Sequence, residues 1–171
     1  MSKLRNMRVI EIPRFRAISS GPMSFAELFG EGGFCEWVRA NGRLMLKHIY
    51  DEPSFLWHEG SPETYGKGMN VWIHAANDFV TSADAAPYGL IEFPGGVFLV
   101  ATADEKDDKD LNETVDDMMR WIKESEVFEY GGFPKSGMCN MANPDGVADT
   151  ALGIAQQQIF LPLKFRERGG E

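Results

Sequence analysis

The sequence predicts an α+β domain made of two similar halves. Each half reads as strand, helix, strand, strand, giving antiparallel sheets with one main helix packed against each. Three observations carry this. Short runs near residues 9–18, 69–75, 88–103 and 157–165 have the composition or period-two alternation of strands. Two stretches, starting near Phe34 and Leu111, carry apolar residues at i, i+3, i+4 and i+7. The order of elements repeats at about half the length, with halves at about 7–94 and 95–165, although no sequence repeat is visible. The 171 residues are expected to form one domain, 1–171.

The opening run Met7–Ser20 is apolar at Val9, Ile10, Ile12, Phe15 and Ala17. Pro13 cannot donate to a ladder, so the run reads as two strand pieces or one edge strand. Gly21-Pro22 marks a turn. Ser24 with Glu27 three residues on is a capping box for a short helical turn holding Phe25, Leu28 and Phe29. The stripe Phe34, Trp37, Val38, Asn41, Met45 and His48 predicts the first main helix, weakened at Gly42. Residues 51–67 hold Asp51, Pro53, Gly60, Pro62 and Gly66 and read as a loop folded over a core or a ligand, with Phe55, Trp57 and Tyr65 inside it.

Met69–Ala75 alternates as a strand, Met69, Val71 and Ile73 on one face and Asn70, Trp72 and His74 on the other. Residues 88–103 read as a hairpin through Pro94-Gly95-Gly96. Asp104–Asp110 is strongly acidic, but an EF-hand loop needs Gly at its sixth position and Glu at its twelfth, and these are Lys109 and Val115. The run therefore reads as a solvated turn, with Asp110 capping a helix whose stripe is Leu111, Val115, Met118 and Ile122, with Trp121 beside Met118. Residues 128–153 are irregular, and 157–165 closes the chain as a strand.

Composition narrows the function. Aromatics at 12% and apolar residues at 43% exclude disorder, and a net charge of −9 argues against binding nucleic acid directly or an anionic membrane surface. Two cysteines point to a reducing cytoplasm, and there is neither a signal-peptide apolar region nor an 18-residue apolar span. No nucleotide-binding glycine motif, G-x-S-x-G, H-E-x-x-H or C-x-x-C occurs, so no cofactor, metal or catalytic set is assigned. His58, Glu59 and Glu63 form a weak metal pattern without an evident second shell.

What stands out is a surplus of aromatics off the helix stripes: Trp57, Tyr65, Trp72, Tyr130, Phe133 and Phe160. With flexible Met138 and Met141 they suit an adaptable apolar pocket, and aromatic faces on a negatively charged protein suit a cation. The strand period sends Trp72, with Asn70 and His74, towards a polar-lined concavity rather than the helix-packed interior, or packs the tryptophan under the 51–67 loop.

Three stretches together resemble the GyrI-like effector-binding domains, the small-molecule-binding modules of multidrug-responsive transcription regulators: Val9–Ile18, Ile91–Val100 continuing to Leu111 and Ser125, and Gln158–Lys164. The resemblance spans about residues 7 to 165. It implies the duplicated α+β fold, a ligand pocket between the halves lined by aromatics, and a lipophilic, cationic or aromatic small-molecule ligand. Many members hold a buried Glu followed two residues later by an aromatic. Here Cys139 and Met141 occupy those places, which points to a neutral ligand or to a carboxylate supplied elsewhere, such as Glu92 or Glu129. The candidate ligand-binding set is Trp57, Tyr65, Trp72, His74, Glu92, Phe133, Cys139, Met141 and Phe160. No helix-turn-helix segment is expected, so the resemblance implies regulation only through a partner. Stand-alone relatives of this kind imply two alternatives, hydrolysis of cyclopropane-bearing DNA-alkylating compounds or binding to DNA gyrase.

Overall fold

The structure, a computed structural model, describes residues 4–47, 53–59, 68–141, 151, 153 and 155–167. The predicted α+β class is what it shows, and the chain divides into two compact units, Pro13–Gly95 and Met1–Ile12 with Gly96–Glu171.

In the unit Pro13–Gly95 the strands are β2 (Phe15–Ser19), β3 (Ser54–Glu59), β4 (Met69–Ala75) and β5 (Gly89–Phe93), all antiparallel in the order β3-β4-β2-β5. Three short helices join them: α1 (Phe25–Phe29), α2 (Phe34–Ala40) and α3 (Ser82–Ala85). The capping box at α1 forms as its sequence predicts. Ser24 Oγ accepts from Glu27 N–H at 3.3 Å, and the Glu27 carboxylate accepts from Ser24 N–H at 2.8 Å. The first main helix is shorter than its stripe. It ends at Asn41, whose backbone and side-chain N–H groups turn back on Trp37 O, and a 3-10 turn follows over Gly42–Leu44. Met45 then bridges to Ala76, while His48 lies outside the described residues.

Residues 54–59 form a strand, not the predicted loop. Ser54, Leu56 and His58 share one face and Phe55, Trp57 and Glu59 the other. Polar and apolar types are mixed on both faces, so the period-two signal cancels. One face of this sheet is covered by the helices: Ile18 packs with Leu28, Phe34, Leu44 and Val80, and Trp72, Leu56, Tyr88 and Leu90 adjoin them. On the opposite face Phe15, Phe55, Trp57 and Phe93 form an aromatic cluster, with centroids 5.0 Å apart for Phe15–Phe93 and 6.3 Å for Trp57–Phe93.

In the other unit β1 (Arg5–Ile12), β6 (Gly96–Asp104) and β9 (Gln156–Phe165) are consecutive in the sheet. The far edge of β9 is shared by two short strands, β7 (Phe128–Tyr130) near one end and β8 (Met138–Met141) near the other. These two strands lie inside the stretch whose sequence pattern is irregular. Gly137 between them is at φ 72°, and a Cβ there would meet Leu161 and the Phe160 carbonyl at 2.9 Å. Helix α4 (Asp108–Glu124) lays Met118 and Ile122 against Leu99, Ala101, Ile159 and Leu161, as the stripe predicts. Its cap is Asp107 rather than Asp110: Asp107 Oδ1 accepts from Lys109 and Asp110 N–H. Asp110 instead pairs with Arg5 and accepts from Asp104 N–H at 2.9 Å.

The predicted 88–103 hairpin does not form. Gly95 at φ 73° and Gly96 at φ 149° redirect the chain, and each strand takes other partners, β5 on β2 and β6 between β1 and β9. No helix among the described residues is long and apolar enough to cross a membrane.

Candidate functional site

The sheet of the Pro13–Gly95 unit gathers two of the predicted site residues. β4 carries Trp72 and His74 on the same face, and the β3–β4 register sets Ser54 opposite His74. Trp72 Nε1–H donates to Ser54 Oγ at 2.6 Å, and His74 Nε2 lies 3.2 Å from the same oxygen. An indole N–H can only donate. The arrangement that uses every donor therefore has Ser54 accept from Trp72 and give its own proton to an unprotonated His74 Nε2. Burial pushes the His74 imidazole down to about 4, so the ring is neutral near pH 7.

This face is the helix-covered one, which corrects the expected orientation of Trp72. Its ring lies 5.7 Å from Phe34, edge-on, and 5.2 Å from Phe29. Phe34 and Trp37 hold Tyr88 in turn, at 4.8 and 5.1 Å. Both faces of β4 are apolar enough to be buried, and the helices cover the one holding Trp72.

Next to this cluster a cleft of about 420 Å³ opens at the end of β2. Ser19, Ser20, Met23, Pro87, Tyr88 and Ile91 line it, and among the described residues no charged side chain does. Its wall is tied to the Trp72 strand through the backbone. Ser20 N–H donates to Trp72 O at 2.9 Å, Trp72 N–H to Ser20 Oγ at 3.0 Å, and Asn70 and Met23 exchange backbone bonds of 2.6 and 2.8 Å. Sequence reasoning missed both Ser54 and this cleft. Ser54 sits in a run that hid its strand, and the cleft joins residues about seventy positions apart.

Within the same unit, Trp57 and Glu92 do not join Trp72 and His74. Trp57 is on the opposite face of the same sheet, its Nε1–H donating to Glu59 at 3.0 Å. Glu92 is exposed at the sheet edge and paired with Arg14. Glu129 accepts from Lys164 at 2.8 Å, which holds its carboxyl below the usual range. Neither is a buried carboxylate. In the other unit Phe160 is buried and meets Phe98 edge-on at 6.4 Å, whereas Cys139, opposite Ile159, is on the helix-facing side of that sheet. Cys139 is half-buried as a residue, but its thiol is enclosed, and burial pushes it up to about 11. Phe133 is exposed. Met141 pairs with Gln157 at the end of β8, and Tyr65 and Glu63 lie outside the described residues. His58 and Glu59 point to opposite faces of β3, and among the described residues no group of three or more His, Cys, Asp or Glu is placed to hold a metal.

No protein-family model matches the chain, and no curated protein matches it in sequence. Solved structures match it in fold. The C-terminal domain of EcmrR aligns at TM-score 0.66 and 16% identity, over 93% of this chain and 97% of that one. Against EcmrR in its DNA complex the TM-score is 0.67, and this chain spans 58% of that longer chain. SAV2435 bound to tetraphenylphosphonium aligns at TM-score 0.53 and 14% identity, over 93% of this chain and 94% of that one. A hydrolase from Listeria innocua aligns at TM-score 0.60 and 11% identity, over 94% and 93%. At such identities the likeness is one of fold alone.

Proposed function

We propose that this protein binds apolar, aromatic small molecules in the cleft at the end of β2. The carrying observation is the cleft itself. About 420 Å³ is within the usual range of ligand sites, roughly 300–1,000 Å³, and its wall combines a flexible methionine, a proline, an isoleucine and a tyrosine ring with two serines. Phe34 and Trp37 stand behind that wall and fix Tyr88 by edge-to-face packing, and Trp72 meets Phe34 edge-on in turn. The shared fold with SAV2435, solved with an aromatic phosphonium, is consistent with this reading. The role expected is that of an effector- or drug-binding protein in regulation or detoxification. A gyrase partner has no support in the comparisons.

A thermal-shift screen with neutral and cationic polyaromatic compounds tests the reading. A compound at 100 times its dissociation constant adds about 2.7 kcal/mol of stability. Gly89 is the position to block: it lines the cleft and a Cβ there meets only the Ser19 carbonyl, at 4.0 Å, so Gly89→Val is the blocking variant. Binding by the wild type that Gly89→Val abolishes is the expected result. A screen without a single stabilising compound, or full affinity in Gly89→Val, overturns the assignment.

One observation favours hydrolysis as a second reading, the contact between neutral His74 and Ser54. Its chemistry is weak. A base whose conjugate acid sits at about 4 draws little from a serine hydroxyl at neutral pH, and Ser54 also carries the Trp72 hydrogen bond. Mass spectrometry of a strained cyclopropane electrophile incubated with the protein separates the readings. Ring opening at the buffer rate leaves binding alone.

A further inference from the structure

We infer that the β2 cleft selects neutral ligands carrying a strong hydrogen-bond acceptor over cations of the same shape; this rests on the cleft being the binding site. Two observations carry it. The first is the charge of the wall: among the described residues no Asp or Glu lines the cleft, and neither does any Lys, Arg or His. A cation entering it gives up its hydration for serine hydroxyls and one tyrosine ring. A single π-face replaces little of that hydration without a carboxylate beside it. The net charge of −9 acts at long range and is screened within about 8 Å at physiological salt, so the wall decides.

The second is the set of donors left over. Ser19 Oγ accepts from Gly21 N–H at 3.1 Å, and its own proton has no acceptor among the described residues. Tyr88 also lines the cleft, and its hydroxyl has no hydrogen-bond partner among the described residues. Ser20 differs: its hydroxyl already donates to Gly21 O at 2.6 Å and accepts from Trp72 N–H. The cleft thus offers two spare O–H donors, from Ser19 and Tyr88, within a mostly apolar wall. A ligand with a phosphoryl, sulfoxide or carbonyl oxygen on an aromatic body satisfies a donor and buries its rings at once. A site built around hydroxyl donors discriminates against a ligand lacking the acceptor more strongly than an apolar wall discriminates by shape.

Triphenylphosphine oxide and methyltriphenylphosphonium test this, because they share three rings and nearly one shape but differ in charge and acceptor. Titration calorimetry on the full chain at 0.15 M salt is expected to show the oxide binding at least tenfold more tightly. Tyr88→Phe and Ser19→Ala are each expected to weaken the oxide about five- to tenfold and to leave the phosphonium unchanged. Equal or tighter binding of the phosphonium, abolished by Gly89→Val, overturns the selectivity and leaves the cleft as the site. Binding of neither compound overturns the selectivity, and with a negative wider screen it removes the site as well.

Discussion

Trp72 Nε1 lies 2.6 Å from Ser54 Oγ, across two neighbouring strands. The bond fixes the indole against the helices rather than presenting it as an open platform. Its ring is half-buried between Phe29 and Phe34, so its main role is in packing and in holding β3 to β4.

Replacing this tryptophan separates packing from binding. Trp72→Ala is expected to cost about 3 kcal/mol through the cavity it leaves, and Trp72→Phe about 1 kcal/mol through the hydrogen bond lost at Ser54 Oγ, which keeps its His74 partner. Ligand affinity at the cleft in Trp72→Phe should stay within about threefold of wild type, since Trp72 does not line it. Urea unfolding and ligand titration on the two variants check this. Loss of affinity without loss of stability would restore the platform role.

His74 makes stability depend on pH. Its folded value of about 4 is below the ordinary 6.5, so between these values the unfolded chain takes up a proton that the folded chain refuses. Stability is therefore complete above pH 6.5 and falls as pH drops towards 4, by about 3 kcal/mol at 1.36 kcal/mol per pH unit. The difference between wild type and His74→Gln, followed by denaturant midpoints from pH 7.5 to 4, isolates this group from the carboxylates. Parallel profiles would contradict it.

The acidic turn before α4 assigns different work to two aspartates. Asp107→Ala removes the helix cap and should cost about 1 kcal/mol. Asp110→Ala strips partners from the Asp104 N–H and from Arg5 and should cost more, about 1–3 kcal/mol. Chemical denaturation of the two variants ranks them. The reverse order would move the cap back to Asp110.

The Cys139 thiol is held near 11, so little thiolate exists at pH 7.5. In a Cys35→Ser background, reaction with an aromatic disulfide reagent should run about 100-fold slower in the folded protein than in urea. Equal rates would mean that the thiol is open to solvent.

The sequence by itself determined the features that depend on neighbours a few residues apart. The Ser24–Glu27 box, the Met118–Ile122 stripe and the strands at 69–75 and 157–165 are set by local composition and spacing, and each forms. Tertiary structure decided the rest. Period two gives β4 two faces but cannot choose between Ile73 and Trp72, because both sides are apolar enough to be buried; contact with Phe29 and Phe34 makes the choice. β5 and β6 adjoin in sequence yet take separate partners, since pairing is settled by whichever edge the folded sheet offers. The cleft lies furthest from the sequence: Ser19 and Tyr88 come together because β2 and β5 pair, and that pairing is a property of the whole sheet.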